Sequence, residues 1–242
     1  MNPDLFLLLD FSSWYANVRN QFIRCFIEND RYKLLVNGIG VTIKVSLVAL
    51  LFGLIIGMII AMCNLSKKKP IRAIGLVYTD IIRGTPSVTQ LMIIYFVVFA
   101  SINISKWFIA AIAFGINSGA YVSEIIRAGI LSIDHGQTEA GRSLGLGSFQ
   151  TMRKIVLPQA LKNIFPALCN EFIVLIKETA IVGYIGLMDI QKAGDFIKSA
   201  TYLPFMPLIA TAIIYYVLIK LLNLGLKKIE NALRKSDVRS TR

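Results

Sequence analysis

The chain has 242 residues, 55% of them hydrophobic and 17% charged, with a formal net charge of +12 and a mean hydropathy of +0.64. A soluble domain carries about 25% charged residues. The apolar residues here fall in blocks of roughly 20 or more, long enough to cross a hydrocarbon core of about 30 Å, so the composition excludes a soluble globular domain and indicates an integral membrane protein. The scattered cysteines Cys25, Cys63 and Cys169 argue against a disulfide framework, and the single His135 has no second His or Cys nearby to share a metal.

Residues 1–33 lack the basic start and small-residue cleavage site of a signal peptide. Asn2-Pro3 suits a helix start, with Pro3 in the first turn. Phe6, Leu7, Trp14 and Tyr15 then mix with Asp10, Arg19 and Arg24, which predicts an amphipathic extracytoplasmic segment lying on the outer surface. A short extra span is the rival, and it would invert the charge logic below.

Five apolar runs follow, at about 34–62, 71–100, 107–131, 163–188 and 203–226, the second broken near Arg83-Gly84-Thr85-Pro86. Three basic clusters lie beside them: Lys67, Lys68, Lys69 and Arg72; Arg142, Arg153, Lys154 and Lys162; and Lys227, Lys228, Arg234, Lys235, Arg239 and Arg242. The connections between these clusters, near 102–106 and 189–202, are nearly balanced. The positive-inside rule therefore predicts an N-terminus outside and a C-terminus in the cytoplasm. RNA binding is a weak alternative for the basic charge, because no aromatic residues interleave with it. Lys44 and Lys220, near span ends, are expected to reach toward the interface. No internal repeat is visible, which disfavours an inverted-repeat secondary transporter in one chain.

The polar connection at 134–158 interrupts this apolar chain. Asp134-His135-Gly136-Gln137 fits a capping box, with Asp134 as N-cap and Gln137 reaching back. A helix over 136–144 is predicted, ended by Gly145 in the left-handed conformation. Ser148 is placed to cap a second helix to about Val156, with Pro158 opening the fourth span. Glu139 in the first turn complements the helix dipole. The plain alternative is an amphipathic connection on the membrane surface.

Several spaced motifs carry a resemblance. Glu139-Ala140-Gly141, then Gly145, then Ile155-x-Leu157-Pro158 resembles the EAA loop of ABC importer membrane subunits. Arg83-Gly84-Thr85-Pro86 with Gln90-Leu91, the run from Ala120 to Ile130, Pro158-Gln159-Ala160, Asn170-Glu171-Phe172-Ile173 and Lys177-Glu178-Thr179 are similar to the polar amino-acid branch, the histidine, arginine, glutamine and glutamate permeases. The resemblance covers about 34–235, and 236–242 would be a cytoplasmic tail. It implies an all-α type I ABC importer transmembrane domain in the cell (plasma or inner) membrane. Its partners would be an ABC ATP-binding subunit, a second copy or paralogous permease subunit, and an extracytoplasmic amino-acid-binding protein. One departure is Gly141, where the family usually has a second alanine. Glycine keeps a close contact possible at about 1 kcal/mol of helix propensity.

In the resembled family the EAA helices sit in a groove of the ATPase. This implies ATPase coupling by Glu139, Ala140, Gly141, Arg142, Ser143 and Gly145. The chain lacks a GxxxxGK[ST] loop, so no cofactor is expected on it. ATP and Mg would belong to the partner ATPase, and the chain itself is not expected to be an enzyme.

Ionisable groups inside spans need partners or a wet cavity. Asn117, Tyr121 and Glu124 form one stripe on the third span. Asp80, Arg83, Ser87 and Gln90 would share a face of a continuous second span, but Pro86 interrupts it. Thr85 is then a candidate cap of a half-helix whose start suits a carboxylate. Glu171 and Glu178 share a face of the fourth span.

The expected amino-acid site is therefore midplane. Arg83 with Thr85 and Pro86 would hold the carboxylate, and Glu124 would face the ammonium. Gln90, Asn117, Ser118, Tyr121 and Glu178 would line the pathway. The competing expectation is that Asp80, Arg83, Glu124 and Lys177 form internal ion pairs. The acids Asp80, Glu124, Glu171 and Glu178 lean slightly toward arginine, lysine or histidine. Two other classes remain: a secondary transporter or channel for amino acids working without an ATPase, and a membrane-embedded assembly or signalling subunit.

Overall fold

The computed structural model describes residues 3–240, with the side chains of residues 13–230. The expected cap at Asn2 and the side chains of Phe6, Leu7, Asp10, Arg234, Lys235, Arg239 and Arg242 lie outside the described residues. All regular structure among the described residues is helical. The elements are α1 (Pro3–Phe22), α2 (Tyr32–Asn64), α3 (Lys69–Arg83), α4 (Ser87–Ile93), α5 (Lys106–Leu131), α6 (His135–Ser143), α7 (Ser148–Thr151), α8 (Leu157–Glu178), α9 (Ile190–Thr201) and α10 (Phe205–Ser240). Wider π-helical turns follow α1 (Ile23–Ile27), α4 (Ile94–Val98) and α7 (Met152–Val156), and a tight 3₁₀ segment, Thr179–Ile185, follows α8.

Among the described residues, three helices are long and apolar enough to cross a membrane alone: Tyr32–Asn64, Lys106–Leu131 and Phe205–Glu230. They correspond to the predicted first, third and fifth spans. The predicted second span is a helix pair, Lys69–Arg83 and Ser87–Val98, bent by 102°. The bend falls at the Gly84-Thr85-Pro86 break. The predicted fourth span corresponds to α8 and the segment after it. Its Lys162, Glu171, Lys177 and Glu178 leave it less apolar than the other three.

The chain divides into two compact units. The first comprises residues 1–43 and 180–218. Its core is Cys25, Phe26, Leu35, Ala193 and Ile197, with Leu34, Met188, Leu203, Met206, Ala210 and Ile214 against it. Asp189 caps α9, accepting from the Lys192 N–H at 2.8 Å and the Tyr215 hydroxyl at 3.1 Å. Its carboxyl is fully buried, and burial pushes its pKa up from the usual carboxylate range against those hydrogen bonds.

The second unit comprises residues 44–179 and 219–242. Its centre is α5, whose Ile109, Ala110, Ala111, Phe114, Ala120 and Val122 are buried. A seam of glycines brings α2 and α5 together. A Cβ on Gly57 would lie 2.5 Å from Val122 Cγ1, and one on Gly119 would lie 2.7 Å from Ile56 Cγ2. Backbones that approach this closely gain dispersion contacts, the main attraction left between helices in lipid. Lys44 does not hang free: its Nζ sits 3.5 Å from the centre of the Trp107 ring, a cation–π contact.

Candidate functional site

The second unit holds an open cavity of about 1150 Å³. It is walled by the end of α2, the α2–α3 turn, one face of α3 and the C-terminal half of α5. Arg83, Tyr121 and Glu124 converge there, from α3 and α5 respectively. Helical spacing explains this convergence. Arg72, Leu76, Asp80 and Arg83 share one side of α3, and Tyr121, Glu124 and Arg127 share one side of α5. The Arg83 guanidinium carbon lies 5.4 Å from the Tyr121 ring centre.

Glu124 is paired, but with a residue outside the expected set. Arg127 donates to it from Nη2 at 2.7 Å and from Nε at 3.2 and 3.3 Å. The partner lies three residues on, one helical turn away. That spacing was the available signal in the sequence. No ion pair joins Asp80, Arg83 or Lys177 among the described residues, so the expected four-residue ion-pair lock is not what this state contains.

The remaining expected pathway residues lie elsewhere. Gln90 is buried beside the chain break. Its amide donates to Ile82 O at 2.7 Å, Thr85 O at 3.2 Å and Thr85 Oγ1 at 2.7 Å. Its Oε1 accepts from Asn117 Nδ2 at 2.9 Å. Gln90 and Asn117 therefore tie the broken span to α5. Thr85 does not cap α4. Its hydroxyl donates to Ile81 O at 2.9 Å, and Pro86 occupies the N-cap position with no side-chain bond. Ser118 is buried and donates to Glu171 Oε1 at 2.7 Å, between α5 and α8. Glu178 closes α8; neither it nor Pro86 lines the cavity.

Asn64 was not anticipated. It sits at the cavity edge, 6% exposed, with neither amide atom hydrogen-bonded. Its side chain presses against Gly75 of α3.

The polar connection folds as α6, a turn and α7. Asp134 caps α6 through the Gly136 N–H at 2.7 Å. Gln137 does not reach back; its Oε1 accepts from Gln159 Nε2 at 3.3 Å. Gly145 ends the helix with φ +79°. Gly147, not Ser148, is the N-cap of α7, and its N–H is taken by Gln150 Oε1 at 3.3 Å. Pro158 stands where the fourth span begins, as expected. It occupies the first turn of α8, where its missing N–H costs nothing. Gly141 is buried against Thr151 and Ile155. Glu139 meets His135 at 3.2 Å on an exposed face. Leu144 and Phe149 are 80% and 75% exposed, bracketing the turn.

The family model of the binding-protein-dependent transport system inner membrane component matches residues 53–235. The chain is 43% identical over 205 residues to the arginine transport system permease protein ArtQ of Bacillus subtilis, covering 84% of this chain and 94% of that protein. It is 33% identical over 204 residues to the glutamine transport system permease protein GlnP of Escherichia coli, covering 83% and 93%. A chain from the crystal structure of an amino acid ABC transporter with histidines superposes with a TM-score of 0.78 at 42% identity, covering 86% of this chain and 98% of that one.

Proposed function

Because the chain belongs to the family of binding-protein-dependent transport system inner membrane components, as an ABC importer permease of the polar amino-acid branch, we propose that it passes a polar amino acid along the α3–α5 cavity. The convergence of Arg83, Tyr121 and Glu124 on that cavity carries the reading. Arg83 holds the carboxylate, with no acid ion-paired to it among the described residues. The ammonium is received by Glu124, which must then loosen its bond to Arg127. Gln90, Asn117 and Ser118 keep the walls in register.

The charge of the wall bears on the choice of amino acid. Lys67, Arg72, Arg83 and Arg127 line it, against Asp80 and Glu124. Glu171 and Glu178 do not. A lean toward arginine, lysine or histidine therefore rests on two acids rather than four, and the wall favours the carboxylate end of any amino acid. A neutral polar side chain fits this balance as well as a cationic one.

The drive comes from a separate ATP-binding subunit docked on α6 and α7, with Glu139, Ala140, Gly141, Arg142, Ser143 and Gly145 at the contact. A second permease subunit and an extracytoplasmic binding protein complete the transporter. The N-terminus lies outside and the C-terminus in the cytoplasm. Uptake by transporters carrying Arg83→Ala or Glu124→Gln tests the pathway: each is expected to lower uptake at least tenfold with assembly intact. Wild-type uptake by both would remove these residues from the path.

A further inference from the structure

The cations on the wall of the α3–α5 cavity stand in a definite order. Gly53 and Gly57 of α2 pack on Ser118 and Val122 of α5, so these helices run in the same direction, and Asn64 at the end of α2 reaches about the level of Gly129. Gly75 of α3 packs on Asn64, whereas Ile82 O is joined through Gln90 to Asn117. The start of α3 therefore lies beside the end of α5, and the two run antiparallel. From Arg83 toward the α2–α3 turn, the cavity presents Arg83 with Tyr121, then Glu124, then Arg127, and last Arg72 and Lys67.

Glu124 and Arg127 are both partly exposed to this cavity, at 25% and 36%. Their 2.7 Å ion pair lies within one helix, one turn apart, a kind that holds weakly. A zwitterionic amino acid carries the two complementary charges. Its ammonium can replace Arg127 on Glu124, and the guanidinium so released can grip the carboxylate through paired N–H groups. One ion pair becomes two, and no charge loses its partner. A bare amine would strand Arg127, and a bare carboxylate would strand Glu124. A stranded charge inside a membrane-spanning unit is costly.

We propose that the Glu124–Arg127 pair is a gate that opens to ligands carrying both an ammonium and a carboxylate, with Arg127 taking over the carboxylate that Arg83 first holds. The gate rests on the cavity being the amino-acid path, as proposed above, and adds Arg127 and a selection rule to that path. Arg127 stands on the side of Glu124 toward Arg72 and Lys67, so the handover moves the carboxylate toward the α2–α3 turn while the ammonium stays on Glu124.

The test measures equilibrium binding to the purified full-length permease assembled with its ATP-binding subunit, without the extracytoplasmic binding protein and its own selectivity. The probes are L-arginine and L-glutamine, each against the amine that lacks its α-carboxylate. The wild type is expected to bind the amino acid about tenfold or more tightly than the amine, the worth of one charge-assisted contact. Arg127→Gln lowers that ratio by about threefold or more, mainly by tightening the amine, because Glu124 is then free. Arg127→Lys keeps the charge without the two-point grip, gives a smaller fall, and serves if Arg127→Gln does not assemble. A wild type that binds amine and amino acid alike would overturn the gate. So would equal weakening of both ligands in Arg127→Gln, and the path itself would still stand if Arg83→Ala and Glu124→Gln lower amino-acid binding. Unchanged binding in Arg83→Ala and Glu124→Gln, or no binding of either amino acid by the wild type, would remove the path and the gate with it.

Discussion

At the residue scale, Gly141 shows how a departure from a family pattern acquires a reason. A Cβ there would lie 2.8 Å from Ile155 Cδ1, 2.9 Å from Thr151 Cγ2 and 3.2 Å from Thr151 Oγ1. The Ile155 tip can swing away. Thr151 is 1% exposed and its hydroxyl is tied to Gly147 O at 3.1 Å, so it cannot. Alanine gains about 1 kcal/mol of helix propensity but overpacks the seam by about 1–3 kcal/mol. Gly141→Ala is therefore expected to lower the melting temperature of the purified chain and weaken its stimulation of the ATPase. Adding Thr151→Ser, which removes the obstructing methyl, should restore both. A rise in melting temperature for Gly141→Ala alone would show that the seam yields.

Asp189 gives a prediction with a pH sign. Its folded pKa is raised, chiefly by burial, so the folded state holds the proton more tightly than the unfolded one. Stability therefore falls as pH climbs from about 4, the ordinary aspartate value, through the raised folded value. Asp189→Asn keeps a side-chain oxygen for the Lys192 N–H but cannot ionise. Melting curves across this range should slope for the wild type and flatten for Asp189→Asn; equal slopes would assign the dependence to another group.

At the element scale, the broken span separates what a sequence can show from what only packing decides. The break was legible because Pro86 removes a backbone donor, a local fact. The stripe of Tyr121 and Glu124 was legible from helical periodicity. Thr85 as a cap was not borne out, because its hydroxyl was drawn back to Ile81 O and to Gln90 instead. Choosing among such acceptors depends on where α5 lies. The same holds for the Gln90–Asn117 bond, which joins residues 27 apart, and for Ser118–Glu171, 53 apart. Residues read as pathway from their polarity were thus, in part, satisfying each other between helices.

Gln90→Leu tests that role. It keeps bulk but leaves the buried Asn117 amide without its partner, an orphan costing about 1–3 kcal/mol. The expected result is a clear drop in melting temperature, with Asn117→Leu on top of it costing little more, since the pair acts together. Additive losses would mean that the two side chains work independently.

At the scale of the whole molecule, the proposed function has energy delivered to the permease through a contact with a separate ATP-binding subunit. The turn between α6 and α7 offers one. Leu144 and Phe149 project there, almost fully exposed, beside the polar Glu139 and Arg142. Apolar anchors ringed by polar groups are where binding energy concentrates, about 2 kcal/mol or more for a buried aromatic, or roughly 30-fold in affinity. Phe149→Ala should then lower ATP-driven uptake by roughly that factor at limiting ATPase. The defect lies in docking rather than in the pathway, so excess ATPase subunit should recover uptake. Arg83→Ala should not respond to excess ATPase, because its defect lies in the cavity. Recovery of both variants, or of neither, would break the division of labour between the cavity in α3–α5 and the α6–α7 turn.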